Sequence, residues 1–301
     1  MRPPLTAALL LLPSILIAQE PLVHQKLLPT LWVQTAPEWR GLCLQAYQSA
    51  RLALDAALRN RKWTAAVEQS GPTAGKYWKK KPAVILDIDE TVLDNSPGQA
   101  RQVAANTDFV LKDFTRWVGE AKAEPIPGAL DFCRYARSRG VRVFFITNRD
   151  AADEEATRRN LERWGFPVEK DFDNILARGE KPEWNTSDKS TRRQAVAADH
   201  RIVMLVGDDL GDFLPGVRLS PEKRRELAEP FHQRWGRQWI ALPNPGYGSW
   251  EESLYDTPKS PDPEERMRQK RRFLVVAEDM PPGTGTADPS RSKGQGNRPS
   301  P

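Results

Sequence analysis

The chain has 301 residues, of which 39% are hydrophobic and 28% are charged, an ordinary composition for a globular protein. A chain of this length can hold one large α/β domain with appended helices. The formal net charge of +5 is spread along the sequence, with only short basic runs such as residues 79–81, so charge gives no argument for binding a nucleic acid polymer.

The first 18 residues have the features of a signal peptide. Arg2 precedes an apolar stretch at 9–17, and Ala18 offers a small residue for cleavage. This stretch is too short to span a bilayer. Three prolines within the first 13 residues weaken the alternative of a buried first helix. We therefore expect an exported protein, periplasmic or secreted.

Region 19–81 is predicted to be helical and to contribute to a cap over the main domain. Apolar residues recur at helical spacing between positions 39 and 58 and predict one long amphipathic helix. The stripe consists of Trp39, Leu42, Cys43, Ala46, Tyr47, Ala50, Leu54 and Leu58.

The chain has two cysteines, Cys43 and Cys133, which lie among apolar residues of predicted helices. Export would permit a disulfide between them. Two cysteines without a motif spacing are more typical of buried free thiols, and we expect that state.

The segment AVILDIDETVLDN, at 83–95, is the most informative of the chain. A short apolar run leads into Asp87 and Asp89, as expected where a buried parallel strand ends. Ligands bind at that edge of α/β sheets. Both carboxylates start on one face of the strand, and two adjacent carboxylates need a cation or a shared proton between them. An isolated D-x-D pair has another interpretation, a strand-end turn with capping aspartates.

A helical insertion is predicted at about 99–125, where a second apolar stripe indicates a shorter helix. With the N-terminal helices it would complete the cap. Asp94 and Asn95, just before it, are expected to brace the loop. The stripe consists of Phe109, Val110, Phe114, Trp117 and Val118.

A second strand with a polar end is predicted at 141–146. Gly140 occupies the position of a helix C′ residue, and an apolar run follows it. The run ends at Thr147 and Asn148, which places a hydroxyl donor at the tip of the strand. A threonine at a strand end is weak evidence by itself, because threonine favours strands.

Lys189 lies where a helix at about 188–199 is predicted to begin, with its N-cap among residues 186–188. A lysine in the first helical turn opposes the helix dipole by about 0.3–1 kcal/mol. That cost is tolerable if the ammonium faces an anion. A solvated surface lysine is the alternative interpretation.

A third buried strand is predicted at 202–206, and Gly207 lets the chain turn beneath the acids that follow. These acids are Asp208, Asp209 and Asp212. Carboxylates at the carboxyl end of a strand suit a hard divalent cation such as Mg²⁺.

Helices at about 128–139, 153–164 and 188–199 alternate with these strands, and a last strand is predicted at 239–242. This alternation predicts an α/β fold, a doubly wound parallel sheet with an appended helical cap. A loop rich in proline and glycine, LPNPGYGSWE at 242–251, is expected to be ordered beside the site.

In order along the chain, D-x-D-x-T, a strand ending in threonine, a lysine and G-D-D-x-x-D resemble the haloacid dehalogenase superfamily of aspartate-nucleophile phosphatases. ILDIDETVLDNSP, FFITNR, DKSTRR, LVGDDLGDF and LPNPGYGSWE are similar to class C acid phosphatases, a group that includes the bacterial lipoprotein 5′-nucleotidases. The stretch at 31–55 also resembles that family, so the resemblance covers about 27–255. The core would be 82–255, with a C-terminal extension at 256–278 and a disordered tail at 279–301.

The resemblance implies that Asp87 is the nucleophile and forms an aspartyl-phosphate. Asp89 would protonate the leaving oxygen and later activate water. Mg²⁺ would be held by Asp87, Asp208 and the main-chain carbonyl of Asp89.

The resemblance also implies that Thr147, Asn148 and Lys189 bind the phosphate oxygens. Asp212 would orient Lys189 or a metal-bound water. Asp209 stands where relatives often have asparagine and is expected to be peripheral.

Two aromatic residues, Tyr247 and Trp250, are candidates for stacking a nucleobase, worth about 1–3 kcal/mol per base. Alternatively, they pack against the end of the sheet. Relatives often have tyrosine where this chain has Gly98, which predicts a wider or less aromatic pocket and weakens the case for nucleotides.

The expected activity is Mg²⁺-dependent hydrolysis of small phosphomonoesters, with an acidic optimum and 5′-nucleotides among the substrates. A phosphotransferase with the same intermediate and a non-catalytic phosphate- or nucleotide-binding protein are the alternatives; the presence of Asp89 argues against the second. Lipoprotein relatives carry a cysteine just after the signal, whereas the first cysteine here is Cys43, so no lipid anchor is expected.

Overall fold

The computed structural model describes residues 24–71 and 75–277. The predicted signal peptide at 1–18 and the predicted tail at 279–301 lie outside the described residues. Within the described part of the chain, no helix is both long and apolar enough to cross a membrane.

A five-stranded parallel sheet forms the centre of the structure, with strand order β5-β4-β1-β6-β7. The strands of this sheet are β1 (Lys81–Leu86), β4 (Arg142–Asp150), β5 (Ile175–Arg178), β6 (His200–Gly207) and β7 (Trp239–Ala241). A small antiparallel pair is formed by β2 (Leu93–Asp94) and β3 (Glu124–Pro125). The chain proceeds outward from β1 through β4 to β5 and then returns to the other side of β1. The carboxyl end of β1 is therefore the switch point at which ligands bind in such sheets.

Helices cover both faces of the sheet, so the predicted doubly wound parallel fold is confirmed. Alternate residues of β1 point to opposite faces: Val84 and Leu86 join one hydrophobic core, and Ala83 and Ile85 join the other. The helices are α1 (Leu27–Thr35), α2 (Pro37–Arg59), α3 (Ser96–Ala104), α4 (Leu111–Gly119), α5 (Ala129–Ser138), α6 (Glu154–Trp164), α7 (Ser190–Asp199), α8 (Pro221–Ala228), α9 (Ser249–Glu252) and α10 (Pro263–Arg271).

The predicted amphipathic helix corresponds to α2, and most of its apolar stripe is buried. Leu42 was wrongly placed in that stripe, because its residue is 44% exposed. At 3.6 residues per turn, position 42 lies about 90° from the centre of the buried face. Cys43 and Cys133 are buried and free, as expected.

The predicted insertion at 99–125 contains most of α3 and all of α4. Trp117 and Val118 are buried, but Phe109 is 56% exposed and Val110 45% exposed. The predicted stripe was wrong at these two positions because α4 begins only at Leu111, so helical periodicity does not apply to the residues before it.

A C-terminal segment that contains α10 packs back onto residues near positions 25, 108 and 251. Arg266 forms an ion pair with Asp108, which precedes α4, at 2.5 Å. Lys270 contacts Glu251 at 2.6 Å and Gln25 at 2.5 Å. The part of the predicted C-terminal extension that the structure describes is therefore tied to the rest of the molecule.

Candidate active site

The polar ends of β1, β4 and β6 meet at one edge of the sheet. Pairing aligns Leu86 with Phe145 on one side and with Val206 on the other. The next residues of β1 and β6 are Asp87 and Gly207, so the segments that carry the predicted site residues emerge side by side. The Asp87 N–H donates to the Val206 carbonyl at 2.9 Å, which fixes where the first acid leaves the sheet.

Asp87 is only 7% exposed, and its Oδ1 accepts a hydrogen bond from Lys189 Nζ. Burial, only partly opposed by Lys189, raises the pKa of the Asp87 carboxyl to about 7. Among the described residues, no side chain donates to Asp87 Oδ2. One carboxylate oxygen is thus held by the protein while the other is available for an external partner.

Lys189 lies between two acids, because its Nζ also donates to Asp212 Oδ1 at 2.6 Å. Burial disfavours its charge, but Asp212 and Asp87 outweigh that effect and raise its pKa. The ammonium is therefore charged and fixed. Asp212 Oδ2 accepts from the Asp209 N–H at 3.0 Å, so both oxygens of Asp212 are engaged within the protein.

Lys189 was predicted to lie in the first turn of the helix, but it is the residue just before α7. Asp188 accounts for the difference, since its Oδ1 accepts from the Ser190 N–H at 2.7 Å and begins the helix there. Gly207 is required nearby, because a Cβ at that position would collide with the Asp212 side chain.

The Asp89 carboxylate is held by hydrogen bonds from Arg149, a residue that was not predicted to belong to the site. Arg149 Nη2 and Nε donate to Asp89 Oδ1 at 2.8 and 3.0 Å, and Asn95 Nδ2 donates to the same oxygen at 2.8 Å. Arg149 is buried, and its Nη1 donates to Thr157 Oγ1 at 3.0 Å. The arginine and the asparagine fix the orientation of the Asp89 carboxylate above the carboxyl end of β1. The Asp89 carboxylate needs a fixed hydrogen-bond donor, and this need was the available sequence signal for Arg149. It did not identify the arginine, because 60 residues separate Asp89 from Arg149.

Thr147 is buried at the end of β4, and its Oγ1 lies 3.4 Å from Asp89 Oδ2. The side chain of Asn148 is exposed and points to α7: its Oδ1 accepts from Arg192 Nη2 at 2.7 Å, and its Nδ2 donates to Ser187 O at 3.1 Å. Any contact between Asn148 and a phosphate would therefore involve its main chain. Arg192 also donates to the Thr147 carbonyl, which ties the end of β4 to α7.

Asp208 completes an acidic cluster with Asp87 and Asp212, in which one oxygen of each lies within 4.8 Å of the others. Thr91 Oγ1 donates to Asp208 Oδ1 at 3.0 Å, and Asn244 Nδ2 donates to Asp208 Oδ2 at 2.8 Å. Burial, with the neighbouring charges of Asp87 and Asp212, raises the pKa of Asp208 well above its usual value.

Three carboxylates with one ammonium leave a deficit of positive charge. This oxygen-only donor set fits a hard divalent cation. Within the described residues, Asp212 is already bound by the Lys189 ammonium and a main-chain N–H, whereas Asp208 accepts only from neutral side chains and Asp87 has one oxygen without a side-chain donor. Asp87 and Asp208 are therefore the better candidates to hold one.

Asp209, expected to be peripheral, braces the loop that follows β7. Its Oδ2 accepts from the Ser249 N–H at 2.6 Å, and its Oδ1 accepts from Ser249 Oγ at 2.7 Å. These bonds fix the position of Trp250, the next residue, whose ring is 40% exposed.

Tyr247 is linked to the site through Glu90, a second residue that the sequence analysis did not identify. The Tyr247 hydroxyl donates to Glu90 Oε2, and Gln99 Nε2 donates to Glu90 Oε1 at 3.1 Å. Glu90 has a positive φ of 55°, a rare conformation outside glycine, asparagine and aspartate. Burial, with the charges of Asp89 and Asp208, raises its pKa well above the usual value.

The space beside Gly98 is filled by the buried ring of Trp117. A Cβ at position 98 would lie 3.0 Å from that ring, whose Nε1 donates to Asn95 Oδ1 at 2.8 Å. The predicted wider pocket therefore does not follow from Gly98 alone.

The fold and the converging segments define an α/β protein of the haloacid dehalogenase type. The family model "HAD superfamily, subfamily IIIB (Acid phosphatase)" matches residues 21–250. The chain therefore belongs to this family of phosphomonoesterases, which confirms the resemblance drawn from the sequence and the enzyme class expected from it.

Among solved structures, the class C acid phosphatase from Bacillus anthracis is similar, with a TM-score of 0.72 and 36% identity over 84% of this chain and 98% of that one. A structure of the class C acid phosphatase from the same organism with tungstate bound gives a TM-score of 0.70 and 36% identity, over 85% and 98% of the two chains.

Acid phosphatase 1 of Solanum lycopersicum is 28% identical over 158 residues, 49% of this chain and 61% of the relative. The stem 31 kDa glycoprotein of Glycine max is 23% identical over 151 residues, 49% of this chain and 58% of the relative. The match thus spans about three fifths of the length of these curated relatives.

Proposed function

We propose that the protein is an exported, Mg²⁺-dependent acid phosphatase that hydrolyses small phosphomonoesters through a phosphorylated Asp87. The observation that carries the proposal is the arrangement around Asp87, a buried carboxylate with Oδ1 held by Lys189 and Oδ2 open. Membership in a family of acid phosphatases supports the reaction class.

In the first step Asp87 Oδ2 attacks phosphorus, and the bond between phosphorus and the leaving oxygen breaks. Asp89 supplies the proton that the leaving alkoxide needs. In the second step a water molecule attacks the aspartyl-phosphate, Asp89 takes a proton from that water, and the Asp87–phosphorus bond breaks to release phosphate. Each of these two steps has a moderate activation barrier. The barrier of the uncatalysed hydrolysis is higher by as much as about 20 kcal/mol.

Positive charge from Lys189 and a hydroxyl from Thr147 are suited to hold the non-bridging oxygens of phosphate. Mg²⁺ held by Asp87, Asp208 and the Asp89 carbonyl would offset the repulsion between the acidic cluster and a phosphate dianion. Asp212 contributes by fixing Lys189. The structure of a relative with bound tungstate, a tetrahedral oxyanion like phosphate, supports binding of an oxyanion.

For the leaving group, we propose that 5′-nucleotides are among the substrates, with Trp250 as the stacking residue. Its exposed ring beside the site supports this choice. Tyr247 is less suited, because its hydroxyl is engaged by Glu90 and Lys26 Nζ lies 5.5 Å from the centre of its ring.

A phosphate-release assay with and without EDTA tests the proposal across 5′-nucleotides, sugar phosphates and aryl phosphates. We expect turnover that EDTA abolishes and added Mg²⁺ restores. Binding of nucleotide or phosphate without release would instead identify a binding protein, and transfer to an added alcohol in preference to water would identify a phosphotransferase. Secretion of a reporter fused behind residues 1–18, compared with the same reporter alone, tests export.

A further inference from the structure

A cavity of about 360 Å³ lies beside the 244–250 loop. Gly246 and Trp250 form one wall, Lys26 and neighbouring N-terminal residues a second, and Lys270 of α10 contributes to a third. Its volume is in the range of small-molecule sites in proteins.

This cavity is close to the acidic cluster. Asn244, which donates to Asp208 Oδ2 at 2.8 Å, is only two residues before Gly246. Because two residues extend at most about 7 Å, the cavity wall is within roughly 14 Å of the Asp208 carboxylate. The leaving group of an ester as large as a nucleotide spans such a distance.

Most charged groups of the cavity wall are already paired. Lys270 Nζ donates to Glu251 Oε1 at 2.6 Å, and the Tyr255 hydroxyl donates to the same oxygen at 2.6 Å. His24 uses both ring nitrogens, since Nδ1 accepts from the Lys26 N–H at 3.1 Å and Nε2 lies 2.9 Å from the Thr107 carbonyl. These groups leave the wall with no net charge of their own.

Lys26 is the exception. Among the described residues, its Nζ has one hydrogen-bond partner, the Gln102 Oε1 amide oxygen at 3.3 Å, and the centre of the Tyr247 ring lies 5.5 Å away. No carboxylate of that part of the chain lies within ion-pair distance of Nζ. Burial lowers the pKa of Lys26, opposed by the more distant charges of Glu251 and Glu90. Lys26 is half-buried, and its ammonium has no carboxylate counter-ion in the described residues, so an anion in the cavity would supply a partner of opposite charge.

We propose that this cavity receives the leaving group of the substrate and that Lys26 binds a second anionic group, a phosphate or a carboxylate, carried by it. The inference rests on the proposed phosphatase activity and narrows its substrate class to esters with a charged tail. Such substrates would be preferred over otherwise identical esters with neutral tails.

The test compares Lys26→Gln with the unmodified enzyme on two matched substrate pairs. One pair is adenosine 3′,5′-bisphosphate and adenosine 5′-monophosphate, with release at the 5′ position followed by product analysis. The other pair is 4-carboxyphenyl phosphate and phenyl phosphate. A hydrogen bond to a charged group is worth enough to change affinity at least about tenfold. We therefore expect the kcat/KM ratio of charged to neutral substrate to fall about tenfold in at least one pair, mainly through KM.

Lys259→Gln is the matched control, because Lys259 is an exposed lysine whose Nζ lies 4.3 Å from the Tyr255 ring and which does not line the cavity. Lys26→Arg keeps the charge and should keep the ratio. The pair that responds distinguishes phosphate from carboxylate.

The inference is overturned if the kcat/KM ratio of charged to neutral substrate is unchanged in both pairs, or if it falls equally in Lys259→Gln. In either case the neutral substrates still show whether the enzyme has the proposed phosphatase activity. Absence of phosphate release from all four substrates by the unmodified enzyme overturns both. Thermal unfolding of each variant separates loss of binding from loss of folding. If Lys26→Gln does not fold, the unmodified enzyme decides: a preference of about tenfold for the charged substrate in at least one pair supports the inference, and no preference in either pair overturns it.

Discussion

Two neighbouring regions of this molecule carry opposite charge imbalances. At the carboxyl ends of β1 and β6, two buried carboxylates and one half-buried carboxylate lie together with a single ammonium, that of Lys189, which pairs with two of them. In the cavity beside the 244–250 loop, Lys26 is a half-buried lysine without a carboxylate partner in the described residues. We propose that a cation balances the charge of the first region and that an anion balances the charge of the second.

The largest expected effect comes from removing the nucleophile. Asp87→Asn replaces the attacking carboxylate by an amide that is a poor nucleophile, so kcat should fall by about 10⁴ or more. Phosphate release from an aryl phosphate is the measurement. Asp209→Asn, a neighbouring acid without a proposed chemical role, is the control. Full activity in Asp87→Asn would refute the assignment.

Replacing Asp89 by asparagine should lower kcat by about 10²–10⁴ on alkyl phosphates, because the leaving alkoxide then departs without a proton. The loss should be smaller for 4-nitrophenyl phosphate when formation of the phosphoenzyme is measured, since nitrophenolate leaves unprotonated. A stopped-flow series over leaving groups of graded acidity provides the measurement. Equal losses for all leaving groups would show that Asp89 does not act as the acid.

The acidic cluster also predicts how stability depends on pH. The folded-state pKa of Asp87 is raised from 3.8 to about 7, so the folded protein binds more protons than the unfolded chain between these values. Stability of the metal-free protein should therefore fall as pH rises from about 4 to 7. Excess Mg²⁺ should remove this decline, because a bound cation favours ionised carboxylates.

Thermal unfolding at pH 5, 6 and 7, in EDTA and in Mg²⁺, measures this effect. Asp208→Asn should flatten the decline in EDTA and weaken the response to Mg²⁺. A melting temperature that rises with pH in EDTA would contradict the proposed charge imbalance.

The smallest effect is expected at the boundary between the two regions, where Tyr247 bonds to Glu90. Tyr247→Phe removes one hydrogen bond to a buried carboxyl group and should cost about 1–3 kcal/mol of stability. The released loop should also raise KM for large substrates more than for phenyl phosphate. Tyr77→Phe is a suitable control, because its hydroxyl donates to an exposed main-chain carbonyl, that of Lys62. Unchanged stability and KM would show that the bond does not position the loop.

The parts of the fold that were predicted are those in which the local sequence carries the signal. Apolar runs that end in polar residues identified β1, β4 and β6, since a buried parallel strand is apolar on both faces. Strand β5 and helix α8 were not identified. β5 has only four residues, too few for a periodic signal, and α8 has no buried residue to create an apolar stripe.

Most of the site residues were predicted from the same signal, because they directly follow an apolar strand run. Arg149 and Glu90 were missed because their roles depend on partners far away in sequence. Arg149 acts on Asp89, 60 residues earlier, and Glu90 accepts from Tyr247, 157 residues later. Lys26 is a similar case, since a single lysine has no sequence signature of being half-buried without a carboxylate partner.

The central claim is that phosphorus becomes bonded to a side-chain oxygen of Asp87 during turnover. Rapid acid quenching with ³²P-labelled substrate, followed by peptide mapping, tests it most directly. The account predicts label in the peptide that contains Asp87 in the unmodified enzyme and none there in Asp87→Asn. Turnover without labelled protein at any quench time, or label confined to another peptide, would contradict it.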